Sequence, residues 1–253
     1  YGGAGINSVG ANNIDTAGCT FDPPITPNFN QEPIVIPDEI YFPDEPPECG
    51  VAAPPPVQLG VDLSDGRGEW LIRPGFYSNF PQAGLVANKQ HIYMASGVYC
   101  IDPPMDQDLS WSPVEFVSLN GSRDPSKNKY SVHNPDGVTL YIKAGGGFSI
   151  NANNITYLDA STTGDYQGYL IILEGTHPSI EDCSITGGSK IDINGLIFAP
   201  YCDITVNGGS EPTAEINAQL LGWDIKINGT TTINFNYDPS NQVTIEHQIG
   251  LMR

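Results

Sequence analysis

Three segments, Cys183-Ser-Ile185-Thr, Cys202-Asp-Ile204-Thr and Trp223-Asp-Ile225-Lys, carry one short pattern whose copies start 19 and then 21 residues apart. Each copy alternates apolar and polar residues, which is typical of a strand with one buried face. Asn207 and Asn228 then precede glycine and indicate turns. Because a strand-and-turn unit repeated at about 20 residues indicates stacked coils, we predict an all-β, right-handed parallel β-helix. Its hand follows from the general preference for right-handed crossovers.

The alternation also predicts which side chains point into the coil. Cys183 and Cys202 occupy the same column of the repeat, and neighbouring strands lie about 4.8 Å apart, within the usual Cα separation of a disulfide. We therefore expect either a disulfide or two stacked, buried thiols, and a disulfide would indicate an oxidising compartment. The inward aliphatic residues form a predicted core ladder: Ile185, Ile204, Ile225, Val206 and Ile227.

Composition supports a chain rich in turns and strands. The 253 residues include 28 Gly and 22 Pro, whereas strong helix formers are scarce, and this balance favours an all-β fold. No apolar run approaches the roughly 18 residues that would span a bilayer.

The net charge of −19 excludes some classes of partner. A strongly acidic surface repels phosphate backbones and anionic headgroups, so we expect no nucleic-acid partner and no membrane contact by this segment. Two explanations of the acidic net charge remain: it keeps the protein soluble, or its carboxylates bind divalent cations in a salty exterior.

The first 56 residues differ from the rest. They begin rich in Gly and Asn, and residues 21–56 contain half of all the prolines. Proline lacks a backbone donor, so this region cannot form a central strand, yet its interleaved apolar residues argue against a free linker. We predict a strap on the outside of a solenoid that spans residues 57–253, with Cys49 as a point that could pin it. The pairing of Cys19, Cys49 and Cys100 is left open.

A second repeat extends the period towards the N terminus. The segments Arg73-Pro-Gly75-Phe-Tyr77 and Ala95-Ser-Gly97-Val-Tyr99 align at a spacing of 22 residues. Between the repeats, residues 120–136 are mostly polar and contain two prolines, which predicts a loop or hairpin projecting from the coil. This segment is the basic patch of an acidic chain and a possible binding loop, through Arg123, Lys127 and Lys129.

Several carboxylates are candidates for catalytic or metal-binding groups. Asp192, Asp203 and Asp224 are predicted to face outward, and Asp203 and Asp224 fall 21 residues apart, with Lys226 nearby. Stacked aspartates are common on solvated faces, so we assign no catalytic residue and expect no enzyme.

Asp62, Asp65 and Glu69 interleave carboxylates with glycines, as calcium loops do. They lack the full alternation of an EF-hand loop, and an acidic turn is the favoured interpretation. We therefore expect no metal site and no cofactor, with Ca²⁺ at this loop as the alternative.

Several short motifs resemble one family. The Pro-Gly-Phe-Tyr and Ser-Gly-Val-Tyr-Cys repeats, Gly137-Val-Thr-Leu-Tyr, Gly195-Leu-Ile-Phe-Ala-Pro200 and the closing Ile-Asn-Gly run are similar to the extracellular region of G-type tight-adherence (Tad) pilus-assembly proteins. The closing part also resembles minor pilin-like proteins. The resemblance covers most of the chain. It implies a secreted or surface-exposed protein, carried on an N-terminal hydrophobic helix that this sequence lacks.

We therefore expect an extracellular or cell-surface structural protein, either a pilus or filament subunit or a minor pilin-like component. Its partners would be other copies of itself or pilus components. An adhesive module that binds glycans or surfaces, and a β-helix polysaccharide lyase or hydrolase, are the alternatives. The segment from Gln242 to Arg253 alternates apolar residues and is the predicted final strand, which could pair with another copy.

Overall fold

The computed structural model of the protein describes residues 42–61, 66–78, 80, 90–102, 109–111, 115–118, 123–124, 129–130, 136–143, 147–152, 155–175, 181–187, 190–207, 213–228 and 232–235. Several sequence predictions lie outside these residues. They concern residues 1–41, Asp62 and Asp65 of the acidic loop, Lys127 of the projecting loop, and the segment from Gln242 to Arg253.

Most of the described residues lie in strands. A single 3₁₀ turn covers Pro47–Gly50, no α-helix occurs among the described residues, and no helix in this part of the chain is long and apolar enough to cross a membrane. The strands are β1 Val57–Val61, β2 Gly68–Ile72, β3 Gly75–Tyr77, β4 His91–Met94, β5 Gly97–Ile101, β6 Leu109–Trp111, β7 Glu115–Ser118, β8 Arg123–Asp124, β9 Lys129–Tyr130, β10 Val138–Ile142, β11 Phe148–Ala152, β12 Ile155–Asp159, β13 Tyr169–Leu173, β14 Glu181–Gly187, β15 Lys190–Asn207, β16 Thr213–Asn228 and β17 Thr232–Phe235.

Three ladders of parallel strands make up the main sheet. The first ladder contains β2, β4, β7, β12, the starts of β15 and β16, and β17. The second contains β3, β5, β10, β13 and the middles of β15 and β16. The third contains β6, β11, β14 and the ends of β15 and β16. Antiparallel β1 covers one edge of the first ladder.

Successive passes of the chain visit the ladders in the same order. The strands β4, β5 and β6 belong to the first, second and third ladder, and later passes repeat this sequence. The long strands β15 and β16 each run through all three ladders, so the ladders join into one curled sheet. The prediction of an all-β fold with a parallel sheet is thus confirmed.

One apolar core lies between the inward faces of the three ladders. Inward-facing apolar side chains alternate along each strand with outward-facing side chains, because successive residues of a strand point to opposite faces. The inward side chains pack into one buried cluster, which includes Ile72, Ile92 and Met94 of the first ladder, Tyr99, Leu140 and Ile171 of the second, and Phe148, Ile150 and Ile204 of the third.

The register of the predicted core ladder differs from the sequence alignment by two residues. Cys183 pairs with Ile204, and Ile185 pairs with Val206, whereas the repeat had placed Cys183 beside Cys202 and Ile185 beside Ile204. A shift of two residues keeps every side chain on its predicted face, because the period of a strand is two. The five predicted core residues are accordingly all buried, but Ile185 stands in the column of Val206 and Ile227.

The upstream repeat shows the same shift. Gly75 pairs with Tyr99, two residues beyond the Gly97 with which the sequence pattern had aligned it. In contrast, the 21-residue spacing between β15 and β16 is the true register, since Ile204 pairs with Ile225. The closing passes of the third ladder therefore share one spacing of 21 residues, whereas the upstream pair is spaced by 24.

Gly195, between the first and second ladders within β15, adopts a backbone conformation that favours glycine. Its φ is +126°, and an added Cβ would lie 2.4 Å from the Cβ of Ala160. We expect Gly195→Ala to reduce the free energy of unfolding by about 3 kcal/mol, through backbone strain and overpacking. Urea denaturation followed by tryptophan fluorescence measures the change.

Gly50→Ala is the matched control, because a Cβ at Gly50 would have no neighbour within 4 Å and should change stability by less than about 0.5 kcal/mol. Equal stabilities for the two variants would show that the passage between these ladders is not constrained as described.

Candidate functional site

The outward face of the second ladder carries an apolar row. Six of its residues stand in register across successive passes and point away from the main core. A contiguous apolar strip of this kind on a surface requires a cover or a partner. We call these residues the apolar row: Phe76, Cys100, Tyr141, Ile172, Phe198 and Leu221.

Residues 42–56, the described part of the Pro-rich strap, cover the apolar row from outside. The ring of Phe42 meets the ring of Phe198 edge to face, with centroids 5.5 Å apart. Cys49 forms a disulfide with Cys100 of the row itself, with 5.1 Å between the Cα atoms. The strap therefore crosses the ladder from β15 back to β5 and is covalently attached there.

Polar contacts hold the strap between these two points. The Tyr166 hydroxyl donates a hydrogen bond of 2.6 Å to the carbonyl oxygen of Asp44, and the Lys143 Nζ lies 2.5 Å from Glu45 Oε1. Burial, and secondly the nearby Glu48 carboxylate, raise the pKa of the Tyr166 phenol. The hydroxyl therefore remains a protonated donor across the neutral range.

The strap ends by extending the second ladder. The amide nitrogen of Ala53 donates to the carbonyl of Phe76 at 2.9 Å, and the amide of Phe76 donates to the carbonyl of Val51 at 2.7 Å. Residues 51–53 thus cover the exposed edge of β3, while β1 covers the edge of β2. Neither β2 nor β3 is therefore an edge strand, the kind of strand that presents unpaired backbone groups to other chains.

The strap also brings three residues of metal-ligating types together. Glu45, Cys49 and Cys100 offer ligand atoms within 4.8 Å of one another. Both sulfurs belong to the disulfide, however, and only a thiolate is a strong cysteine ligand. This group therefore does not fit a metal ion, and no other group of three such ligands occurs in the part of the chain that the structure describes.

The third ladder presents a contrasting outward face, the polar strip. Hydrogen bonds join its side chains along the stack: Ser184 Oγ to Ser149 Oγ at 2.8 Å, and Asn228 Nδ2 to Asn207 Oδ1 at 3.3 Å. A carboxylate column runs beside them. The strip consists of Asp182, Asp203 and Asp224 in one column, Ser149, Ser184, Thr205 and Lys226 in the next, and Thr186, Asn207 and Asn228 in the third.

The predicted stacking of Asp203 on Asp224 is present. The two residues are register partners in β15 and β16, and Lys226 Nζ lies 4.0 Å from Asp224 Oδ2. Asp182 of β14 joins the same column. The sequence alignment missed Asp182 because of its two-residue error in register, and a corrected alignment places it opposite Asp203.

Asp203 is the member of the carboxylate column whose negative charge is placed least favourably. Its Oδ1 is buried and accepts no hydrogen bond within the described chain, whereas Asp224 Oδ1 accepts one from the amide of Ile225 at 2.9 Å. Burial, and secondly the neighbouring Asp224 carboxylate, raise the pKa of Asp203. The stacked pair Asp203 and Asp224 is therefore the place where the lyase or hydrolase alternative would have to act.

Other predicted site residues lie elsewhere. Asp192 belongs to the first ladder, in register with Glu215, and so stands apart from the carboxylate column. Glu69 is 1% exposed within β2 and pairs in register with His91. Glu69 is therefore a buried residue of a strand and not part of a turn, while Asp62 and Asp65 of the predicted loop lie outside the described residues.

The predicted projecting loop contains a hairpin. Arg123 of β8 pairs with Tyr130 of β9, and Asp124 pairs with Lys129, in an antiparallel sheet of two strands. Among the described strands, this small sheet is separate from the main one.

Comparison with known proteins found no matching family model, no similar curated protein and no similar solved structure.

Replacement of Asp203 tests the carboxylate column. Its raised pKa means that the folded state holds the proton more tightly than the unfolded chain does. Stability is therefore lost as the pH rises from the unfolded value, about 4, through the folded pKa. We expect Asp203→Asn to be about 0.5 kcal/mol more stable than the wild type at pH 7, since like charges directly opposite on neighbouring strands are destabilising.

Chemical denaturation at pH 3 and at pH 7 measures this effect, and the difference between the proteins should vanish at pH 3. Asp165→Asn, in an exposed turn, removes the same charge and should leave stability almost unchanged. A destabilised Asp203→Asn protein at pH 7 would contradict repulsion within the column.

Proposed function

We propose that this protein is an extracellular structural protein, built as a closed right-handed β-helix, that forms or accompanies a surface filament of the pilus type. The observation that carries the proposal is covalent bracing across passes of the chain. The Cys183–Cys202 disulfide joins consecutive passes of the third ladder, and the Cys49–Cys100 disulfide fastens the strap to the second.

Bracing of this kind suits an exterior structural role. Disulfides persist in oxidising compartments and are rare in the cytosol, so the two bonds suggest an oxidising, extracellular environment. The two bonds also close segments of 51 and 19 residues and so lower the conformational entropy of the unfolded chain. Each bond stabilises the fold by a few kcal/mol in this way.

The ladder architecture supports a stiff rod. Each pass contacts mainly its neighbours, so stability accumulates along the stack. The strands β15 and β16 pass through three ladders without interruption, as the coils of a β-helix do, and right-handed crossovers are strongly preferred between parallel strands. Both features support closure of the sheet into a right-handed coil.

Self-assembly tests this function most simply. The purified chain, with its disulfides intact, should form ordered fibres when it is concentrated at physiological ionic strength and imaged by negative-stain electron microscopy. The physical reason is that the last described pass must present a strand edge to solvent, to a covering segment or to another copy.

A chain that ends at residue 241, and so lacks the predicted final strand, is the comparison. Its folding is verified by circular dichroism, and it should remain monomeric. Persistent monomers of the full chain at all concentrations would contradict the role of filament subunit.

The hairpin supports adhesion as a second candidate function. It forms a sheet of its own between β7 and β10, and it carries basic residues on an acidic chain. Attraction between such residues and anionic glycans would be sensitive to salt.

We expect the triple variant Arg123→Gln, Lys127→Gln, Lys129→Gln to lose most binding to immobilised acidic polysaccharide, measured by biolayer interferometry at low salt. Lys226→Gln, which changes a cation of the polar strip, is the control and should retain binding. Equal binding by both variants would count against the hairpin as the adhesive element.

A further inference from the structure

The position of the Cys49–Cys100 disulfide determines which residues carry tension when the protein is pulled. Counted from the N terminus, the first pass contains β2 and β3, the second contains β4 to β6, and the fifth is β15. The strap runs against this order. Val51 contacts β3 of the first pass, Cys49 is bonded to β5 of the second, and Phe42 lies on Phe198 of the fifth. The described part of the strap therefore begins at Phe42, on the fifth pass, and the chain N-terminal to Phe42 joins it there. A pull on that chain acts first on the strap and then on Cys49.

At Cys49 two covalent paths are available. One continues through residues 50–99, which include β1 to β4, and the other passes directly through the disulfide to Cys100 in β5. The direct path is far shorter, so it becomes taut first. Residues 50–99 then carry no tension.

The two entry points differ in mechanical strength. Among the described strands, β1 pairs only with β2, so an end strand has one neighbour to hold it. The strand β5 pairs with β3 on one side and with β10 on the other. Tension that enters at β5 must break two ladders of hydrogen bonds, whereas tension that enters at β1 can remove the end strands one at a time.

We propose that the Cys49–Cys100 disulfide is a mechanical shunt, which transfers tension from the strap to an internal strand and protects the first passes of the stack from unravelling. This inference rests on the proposed function, a structural role in a surface filament, and adds to it that tension reaches the stack through the chain N-terminal to Phe42. The strap is suited to this task because its disulfide, its ion pair from Lys143 and its aromatic contact are spread along its length.

Single-molecule force spectroscopy with handles at residues 1 and 253 tests the shunt. Removal of the bond by Cys49→Ala/Cys100→Ala should add an early extension of about 170 Å, because 51 residues extend by about 3.4 Å each. This event should occur at about half the force of the first large unfolding event of the wild type, since one strand pairing is broken instead of two.

The Cys183→Ala/Cys202→Ala variant is the matched control. It also lacks a disulfide, but its closed segment is only 19 residues long and lies away from the strap, so it should show no early, low-force event. If the strap variant proves unstable, wild-type molecules that have folded with both bonds can be pulled with and without a thiol reductant.

The shunt would be overturned, in the double-alanine variant or in the reduced wild-type protein, if residues 50–99 unfolded only together with the rest of the stack and at the wild-type force. The measurement uses isolated monomers and therefore does not depend on assembly. A protein that shows the shunt but never forms fibres would contradict the proposed function and leave the shunt intact.

Discussion

The cover over the apolar row is the constraint on which the rest of the structure depends. In-register parallel strands place equivalent side chains one above another at about 4.8 Å, so an apolar outward position becomes a continuous apolar row when it recurs. On the second ladder it recurs from Phe76 to Leu221. Water contact along such a row is unfavourable, and the strap, its disulfide and its ion pair are arranged to prevent it.

The outward faces of the second and third ladders consequently have different roles. The third ladder carries hydrogen-bonding and acidic side chains, which do not need an apolar cover. The second ladder needs the strap. The position of the strap in turn fixes where the chain N-terminal to Phe42 departs and which strand receives tension through Cys100. A hydrophobic requirement thus determines both the covalent and the mechanical organisation of the protein.

Strand alternation allowed the sequence to predict the class of fold and the inward faces. Ile185 and Ile204 are buried as expected, although their register differs by two residues, because a shift of two leaves a side chain on the same face. Absolute register could not be predicted, because the matching letters of Cys183-Ser-Ile185-Thr and Cys202-Asp-Ile204-Thr favour a 19-residue alignment over the true spacing of 21. The partner of Cys49 could not be predicted either: Cys100 is 51 residues away, and a proline-rich segment has no period that relates it to a sheet. Glu69 was misplaced because its acidic, glycine-rich neighbourhood looks like a turn, whereas tertiary packing buries it beside His91.

Disulfide mapping of the native protein tests this account most directly. Proteolysis under non-reducing conditions, followed by mass spectrometry, should give one linked pair of peptides that contains Cys49 and Cys100 and a second that contains Cys183 and Cys202. Neither pair should include Cys19. A bond between Cys19 and Cys49, or an unmodified thiol at Cys100 in the folded protein, would contradict the placement of the strap over the apolar row.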